Sequence, residues 1–317
     1  MQKKEAIILL NMGGPNNLEE VEMFLTNMFR DENILTMKSD LLRTIVGTMI
    51  TFTRTEKAQE IYRKIGGKSP IVGLTKKLVQ KLQERVGEEV IVDFAMRYTP
   101  PFADEVIERL NKEEVNKIYL IPLYPQFSTT TTKSSLEDFE AHYHNSSGEA
   151  ILVEIKHFFE NQSYNKAVVQ RIKEKMGEDK CEDFDLIFSA HGLPKRIVDA
   201  GDSYEKHIAR HVEIIKKMLQ TEGMNFYEAH LAYQSKVGPL EWLKPSLEDK
   251  LRVIKNRNVI IFPIAFTIDN SETEYELEME YREIAHELGF RDYRVCKCPN
   301  DSDFFVDALV ELYEKMQ

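Results

Sequence analysis

The sequence predicts an α/β protein of two similar Rossmann-like domains, each a parallel sheet flanked by helices. Three observations predict it. Short apolar runs rich in Ile, Val, Phe and Tyr alternate with helical patterns, and such alternation implies βαβ units. A chain of 317 residues is too long for one small domain and comfortable for two. The halves also repeat each other. IILLNMGGP is echoed by LIFSAHGLP, VIVDFAMRYTPP by YEAHLAYQSKVGP, and KIYLIPLYPQFSTTTT by NVIIFPIAFTIDNSET.

The first candidate strand, Glu5–Asn11, follows lysines at the N-terminus. Its apolar run is too short for a secretory signal and meets Asn11 at once, so it reads as a buried strand. Glu89–Arg97, Lys117–Tyr124 and Ile151–Phe158 follow. The second set is Phe184–Ala190, Phe226–Tyr233, Asn258–Phe266 and Asp292–Cys298. The polar stretch HNSSGEA at 144–150 suits a linker. The expected domains are therefore 1–150 and 151–302, with a final helix at 303–317 packing back on the first. No apolar stretch approaches the ~20 residues needed to cross a bilayer.

The formal net charge is −11. That argues against a nucleic-acid partner, whose phosphates require a basic face, and suits a small cationic substrate. Cys181, Cys296 and Cys298 form an odd, sparse set, which suggests reduced thiols in a cytoplasmic protein. Three thiols also fall short of the usual four ligands of an iron–sulfur cluster, so none is expected.

Ligands of open parallel sheets sit beyond the carboxyl ends of the strands. Two such domains facing each other would gather NMGGP, MRY, PQFSTTTT, SAHGLP, QSKVGP and FTIDNSE around one cleft. His191 ends an apolar strand there, either as a base or metal ligand or as a simple strand cap. In DNSETEYELEMEYREIAHELG, Ser271 and Glu274 form a capping box that starts a helix. Helical spacing sets Glu272, Glu276, Glu280, Glu283 and Glu287 on one stripe, with Leu277, Tyr281, Ile284 and Leu288 on an apolar face. Such a row is either a solvated face or, at its cleft end, a set of mutually repelling carboxylates with raised pKa values, suited to passing protons.

Weaker signals accompany these. His207 and His211 are spaced i, i+4, but IAR between them lacks the glutamate of H-E-x-x-H, so they read as surface histidines. Met12-Gly13-Gly14 lets the backbone approach a ligand closely. Ser128–Thr132 offers hydroxyls for an anion or for a loop backbone. Leu41, Leu42, Ile45, Val46, Met49, Ile50 and Phe52 make an amphipathic patch, either an internal packing helix or an apolar lip for substrate or membrane.

Together, LLNMGGP, YRKIGGKSPI, MRYTPP, PLYPQFSTTTTKSS, FSAHGLP, GDSY, QSKVGPLEWLKP and PIAFTIDNSETEYELEMEY resemble ferrochelatase, in that family's order, over residues 9–281. The resemblance implies a chelatase-type fold and a lyase that inserts Fe2+ into protoporphyrin IX in haem synthesis. It implies that His191 and Glu272 bound the metal-insertion site and that Glu276 continues an acidic path. It places Met12 against the porphyrin face, Arg97 and Tyr98 close to it, and Trp242 and Phe266 as apolar walls. Iron and porphyrin are then substrates, with no prosthetic group. A monomer with peripheral membrane contact is expected. Two positions depart from the family pattern. Asn270 stands where many relatives have a histidine, and Lys244 where glycine is common. Asn cannot act as a base near neutral pH, so either that histidine is dispensable or the proton route differs. The alternatives are a coproporphyrin ferrochelatase, another tetrapyrrole chelatase, or a non-catalytic porphyrin carrier. The pairing of His191 with Glu272 weighs against the carrier.

Overall fold

A computed structural model describes residues 4–236, 238 and 240–317. Eight strands lie among them: β1 (Glu5–Asn11), β2 (Val90–Met96), β3 (Lys117–Pro122), β4 (Ile151–Glu154), β5 (Asp185–His191), β6 (Ala229–Gln234), β7 (Asn258–Pro263) and β8 (Asp292–Val295). Two four-stranded sheets result, ordered β2-β1-β3-β4 and β6-β5-β7-β8, with every pairing parallel. The same order in both sheets is what the internal repeat requires. Several strands stop short of the apolar runs that mark them. The surplus residues, such as Leu123, Tyr124 and Phe158, are buried in the loops beyond.

The chain divides into two compact units. The first runs to Tyr124, resumes over Ser128–His157 and ends with Leu309–Gln317; the second comprises Pro125–Phe127 and Phe158–Ala308. The stretch 144–150 is therefore not the linker. It joins the helix Ser134–His144 to β4, and β4 belongs with the first sheet because Lys117 pairs with Ile151.

Helices cover both faces of each sheet, so the central strands are buried throughout. Ala6 to Leu10 of β1 and Leu186 to Phe188 of β5 are almost wholly enclosed. That is why these strands are continuous apolar runs with no alternation. Ile8, Leu10, Val106, Leu120 and Phe139 form one core; Ile187, Leu247, Ile261, Leu277 and Ala285 form another. In the first unit the returning C-terminal segment sets Tyr313 edge-on to Tyr119, and its hydroxyl donates to Glu5 at 2.6 Å.

Two features depart from regular helix. After β3 and after β7, at the matching places in the repeat, the chain winds as π-helix, over Thr129–Lys133 and Glu272–Glu280. The patch at 41–52 is not an internal packing helix. It forms part of a helix over Asp40–Lys64 in which Leu41, Ile45, Met49 and Phe52 are exposed, Phe52 by 85%. The opposite face carries Gly47 and packs on the helix Glu20–Arg30. A Cβ at Gly47 would lie 2.8 Å from the carbonyl oxygen of Phe29, so only glycine permits that approach.

Candidate active site

The second unit assembles the candidate chemistry at the carboxyl ends of β5, β6 and β7. Six buried residues of β5 lead to His191, whose side chain is 37% exposed. Its backbone is held on two sides. Tyr204 donates its hydroxyl to the His191 carbonyl at 2.9 Å, and Gly192 N–H donates to the Gln234 carbonyl at 2.8 Å. A Cβ on Gly192 would sit 2.8 Å from that carbonyl and 3.3 Å from the Trp242 ring, so the glycine of SAHGLP is required by packing. Phe266, after β7, stands edge-on to the imidazole with centroids 6.5 Å apart.

His191 Nδ1 lies 2.8 Å from Glu272 Oε2. An ionised carboxylate only accepts, so Nδ1 carries a proton, and in the neutral imidazole Nε2 keeps its lone pair. Glu272 opens the π-helix and is placed there by Asn270, whose Oδ1 accepts from the Glu272 N–H at 2.7 Å. Asn270 N–H in turn donates to Thr273 Oγ1 at 3.0 Å. This corrects the expected capping box: Asn270 caps the turn, while the Ser271 side chain makes no capping bond. It also gives the asparagine a structural task.

Glu276, one turn on, is held by β6. Its Oε1 accepts from the Ser235 N–H at 2.8 Å; its Oε2 accepts from Ser235 Oγ at 2.5 Å and Gln234 Nε2 at 3.1 Å. Ser235 adopts a left-handed φ of 65° to aim its N–H there. The acidic row therefore splits. Glu272 and Glu276 are partly enclosed, whereas Glu280, Glu283 and Glu287 are exposed. Burial, then the charge of Glu272, pushes the Glu276 carboxyl up to about 7. For His191, burial opposes the charged form, but the charge and hydrogen bond of Glu272, with the charge of Glu276, outweigh it and raise the pKa.

In the first unit Met12, Arg97 and Tyr98 come together at the ends of β1 and β2. Arg97 N–H donates to the Asn11 carbonyl at 2.8 Å and Tyr98 N–H to that of Met12 at 3.0 Å. The Arg97 guanidinium is paired with Asp138 at 2.9 Å and Asp31 at 3.5 Å, donates to Ser134, and lies over the Tyr98 ring. Tyr98 is buried and donates its hydroxyl to Asp31 at 2.7 Å. Met12 is half-buried against the cluster that contains Tyr98. Sequence reasoning missed Asp31 and Asp138, whose surroundings FRDEN and LEDFE carry no motif. It also missed Gln234 and Ser235 individually, although QSKVGP had marked their loop. Val237 and Pro239 of that loop lie outside the described residues.

Three weaker readings change. The glycines after Met12 approach their own chain: Gly13, at a φ of 84°, packs on Thr99 and Met96, and Gly14 N–H donates to Thr99 Oγ1 at 3.1 Å. Ser128 Oγ accepts from Thr130 N–H, serving the turn itself. His211 is not a surface residue. It is fully buried between Gln126 and Asn165, at 2.8 Å from each, and burial lowers its pKa to about 3. His207 Nδ1 accepts from Phe127 N–H.

The ferrochelatase family profile matches residues 4–317. A ferrochelatase of Sulfurimonas denitrificans is 71% identical, covering 99% of this chain and all of its own length. One of Wolinella succinogenes is 48% identical, covering 98% of each chain. Among solved structures, SirB of Bacillus subtilis with Fe3+ superposes with a TM-score of 0.59 at 12% identity, over 99% of this chain and 95% of SirB, a likeness of fold.

Proposed function

The chain belongs to the ferrochelatase family, a lyase of haem synthesis acting on porphyrin and iron, and from that premise we propose that its porphyrin is protoporphyrin IX and that His191, Glu272 and Glu276 carry the insertion of Fe2+. Metalation has three physical obstacles. The nitrogen lone pairs of a flat macrocycle point at one another, two pyrrole protons must leave, and the ferrous ion must shed water. Bending the ring relieves the first, at a strain of ~1–5 kcal/mol offset by binding energy elsewhere.

The observation that carries the reading is the 2.8 Å bond from His191 Nδ1 to Glu272. It fixes the tautomer of the neutral ring, in which Nε2 is left as the proton acceptor or iron ligand. Glu272 balances the charge that arrives on the imidazole or the metal. Glu276, poised at about 7, both takes and releases protons near neutrality. Phe266 and Trp242 are the apolar walls. Met12 lies against the porphyrin face, and Arg97, set by Asp31 and Asp138 and stacked on Tyr98, is the cation for an acidic substituent of the substrate. Iron and porphyrin are substrates and no prosthetic group is needed. No described helix is long and apolar enough to cross a membrane. The enzyme works as a cytoplasmic monomer, and the exposed row Leu41, Ile45, Met49 and Phe52 supports peripheral contact with a membrane surface.

The test mixes protein, porphyrin and Fe2+ or Zn2+ without oxygen and follows the porphyrin spectrum, with protoporphyrin, coproporphyrin and sirohydrochlorin side by side. Protoporphyrin should give the fastest turnover; a faster coproporphyrin reaction would reassign the substrate. His191→Ala should lower insertion by about a hundredfold or more while porphyrin still binds. Near-normal turnover in that variant would remove His191 from the centre of the reaction.

A further inference from the structure

At the opposite end of β5 from His191, three potential ligands converge. Asp185 opens β5, and Glu228 and His230 flank the start of β6. His230 Nε2 lies 3.3 Å from Asp185 Oδ1 and 3.5 Å from Glu228 Oε2, and one ligand atom from each residue falls within 4.8 Å of the others. We propose that Asp185, Glu228 and His230 form a second divalent transition-metal site, separate from the one at His191.

In this structure His230 and Asp185 share a long hydrogen bond, which a metal would replace. Both separations exceed the ~2.7–3.2 Å of a good N–H···O bond. Both match the ligand-to-ligand edge of a tetrahedron around zinc, about 3.3 Å when each ligand sits ~2.0–2.1 Å from the ion. Charge points the same way. Two carboxylates face one imidazole, and among the described residues neither Asp185 nor Glu228 has a lysine or arginine in ion-pair range. Asp185 is 2% exposed. An enclosed carboxylate with no full cation beside it is a position that a divalent ion stabilises. Glu228 is 64% exposed, leaving the fourth position open to water. One imidazole with two carboxylates suits zinc, cobalt or ferrous ion. The site would clip the first residues of β5 to those of β6. The six residue steps of β5 from Asp185 to His191, at ~3.3 Å each, put it about 20 Å from His191.

The test titrates the full chain with Zn2+ alone by calorimetry, and with Co2+ alone while following its visible absorption. It uses wild type, the double variant H191A/E272Q, Glu228→Gln and His230→Gln. Binding at this site should survive in H191A/E272Q, weaken by about tenfold or more in Glu228→Gln, and vanish in His230→Gln. Porphyrin metalation by Glu228→Gln should stay at the wild-type rate. Since Glu228 is exposed, its variant folds even where His230→Gln does not, and it decides the question. Metal binding unchanged in Glu228→Gln, or lost entirely in H191A/E272Q, would reduce the cluster to a His230–Asp185 ion pair.

Discussion

One imidazole proton sets the behaviour of the site at the scale of residues. His191 and Glu272 were both legible in the sequence, because a histidine ending an apolar strand and a glutamate opening the helix after another such strand belong at the ligand-binding edge of a parallel sheet. The hydrogen bond between them is 2.8 Å long. Their supports were not legible. Asn270 as a cap, Ser235 in a left-handed turn and Asp31 beneath Arg97 depend on tertiary placement, which one chain's periodicity does not encode. The pairing has a consequence for pH. Burial lowers the His191 pKa, but Glu272 and then Glu276 more than reverse this, so the folded value stands above 6.5. The stability that the pair contributes is complete below pH 6.5 and is lost as pH rises through the folded value. Histidine-selective NMR should show His191 titrating above 6.5 in the wild type. In Glu272→Gln burial is left with only the weaker field of Glu276 against it, and the titration should move to lower pH; Glu276→Gln should move it less. An unmoved His191 in Glu272→Gln would mean that the two side chains do not share a charge-assisted bond in solution.

The elements show where patterning succeeds and where it fails. The stripe at 100° per residue located the acidic row, yet Glu272–Glu280 is π-wound, and only Glu272 and Glu276 reach the site. Residues at i, i+4 stay nearly aligned in either winding, so the helical stripe brought together the two glutamates that the structure partly encloses, for an incomplete reason. The helix Asp40–Lys64 failed differently. Its apolar side faces outward, and its contact side is marked by Gly47, a residue that hydropathy ignores. Gly47→Ala gains ~1 kcal/mol of helix propensity but drives a methyl into the Phe29 carbonyl, a backbone atom that cannot swing aside. An overpacking cost of ~1–3 kcal/mol then dominates, and thermal melts should drop by a few degrees. Phe52→Ser changes an 85% exposed side chain, so stability should stay within ~0.5 kcal/mol while affinity for lipid vesicles falls. Unaltered vesicle binding would take this face out of the membrane reading.

For the whole molecule, the duplicated fold was legible and its asymmetry only partly so. In the repeat, His191 takes the place of Met12 and Glu272 that of Thr131, so both halves keep the sheet order and only the second sets a histidine and a glutamate at these two places. Shared backbone with divergent side chains is expected when a fold supplies edges and loops while function rests on a few residues there. The linker was misplaced because polarity marks any surface connection, whereas unit membership follows from strand pairing. The last residues show that membership most sharply. Leu309–Gln317 belongs to the first unit although some 150 residues of the second intervene. Tyr313, 7% exposed, packs its ring on Tyr119 and bonds Glu5, while Leu309 and Leu312 are buried beside it. Tyr313→Phe should cost ~1 kcal/mol, the hydrogen bond alone. Tyr313→Ala should cost about 3–5 kcal/mol, because a buried ring is lost as well. Two units need not unfold together, so amide hydrogen exchange is the measurement that separates them. In Tyr313→Ala, protection should fall in β1 and β3 while β5 and β7 keep theirs. Equal loss in both sheets would instead make the chain one cooperative unit, with the C-terminal segment stabilising all of it.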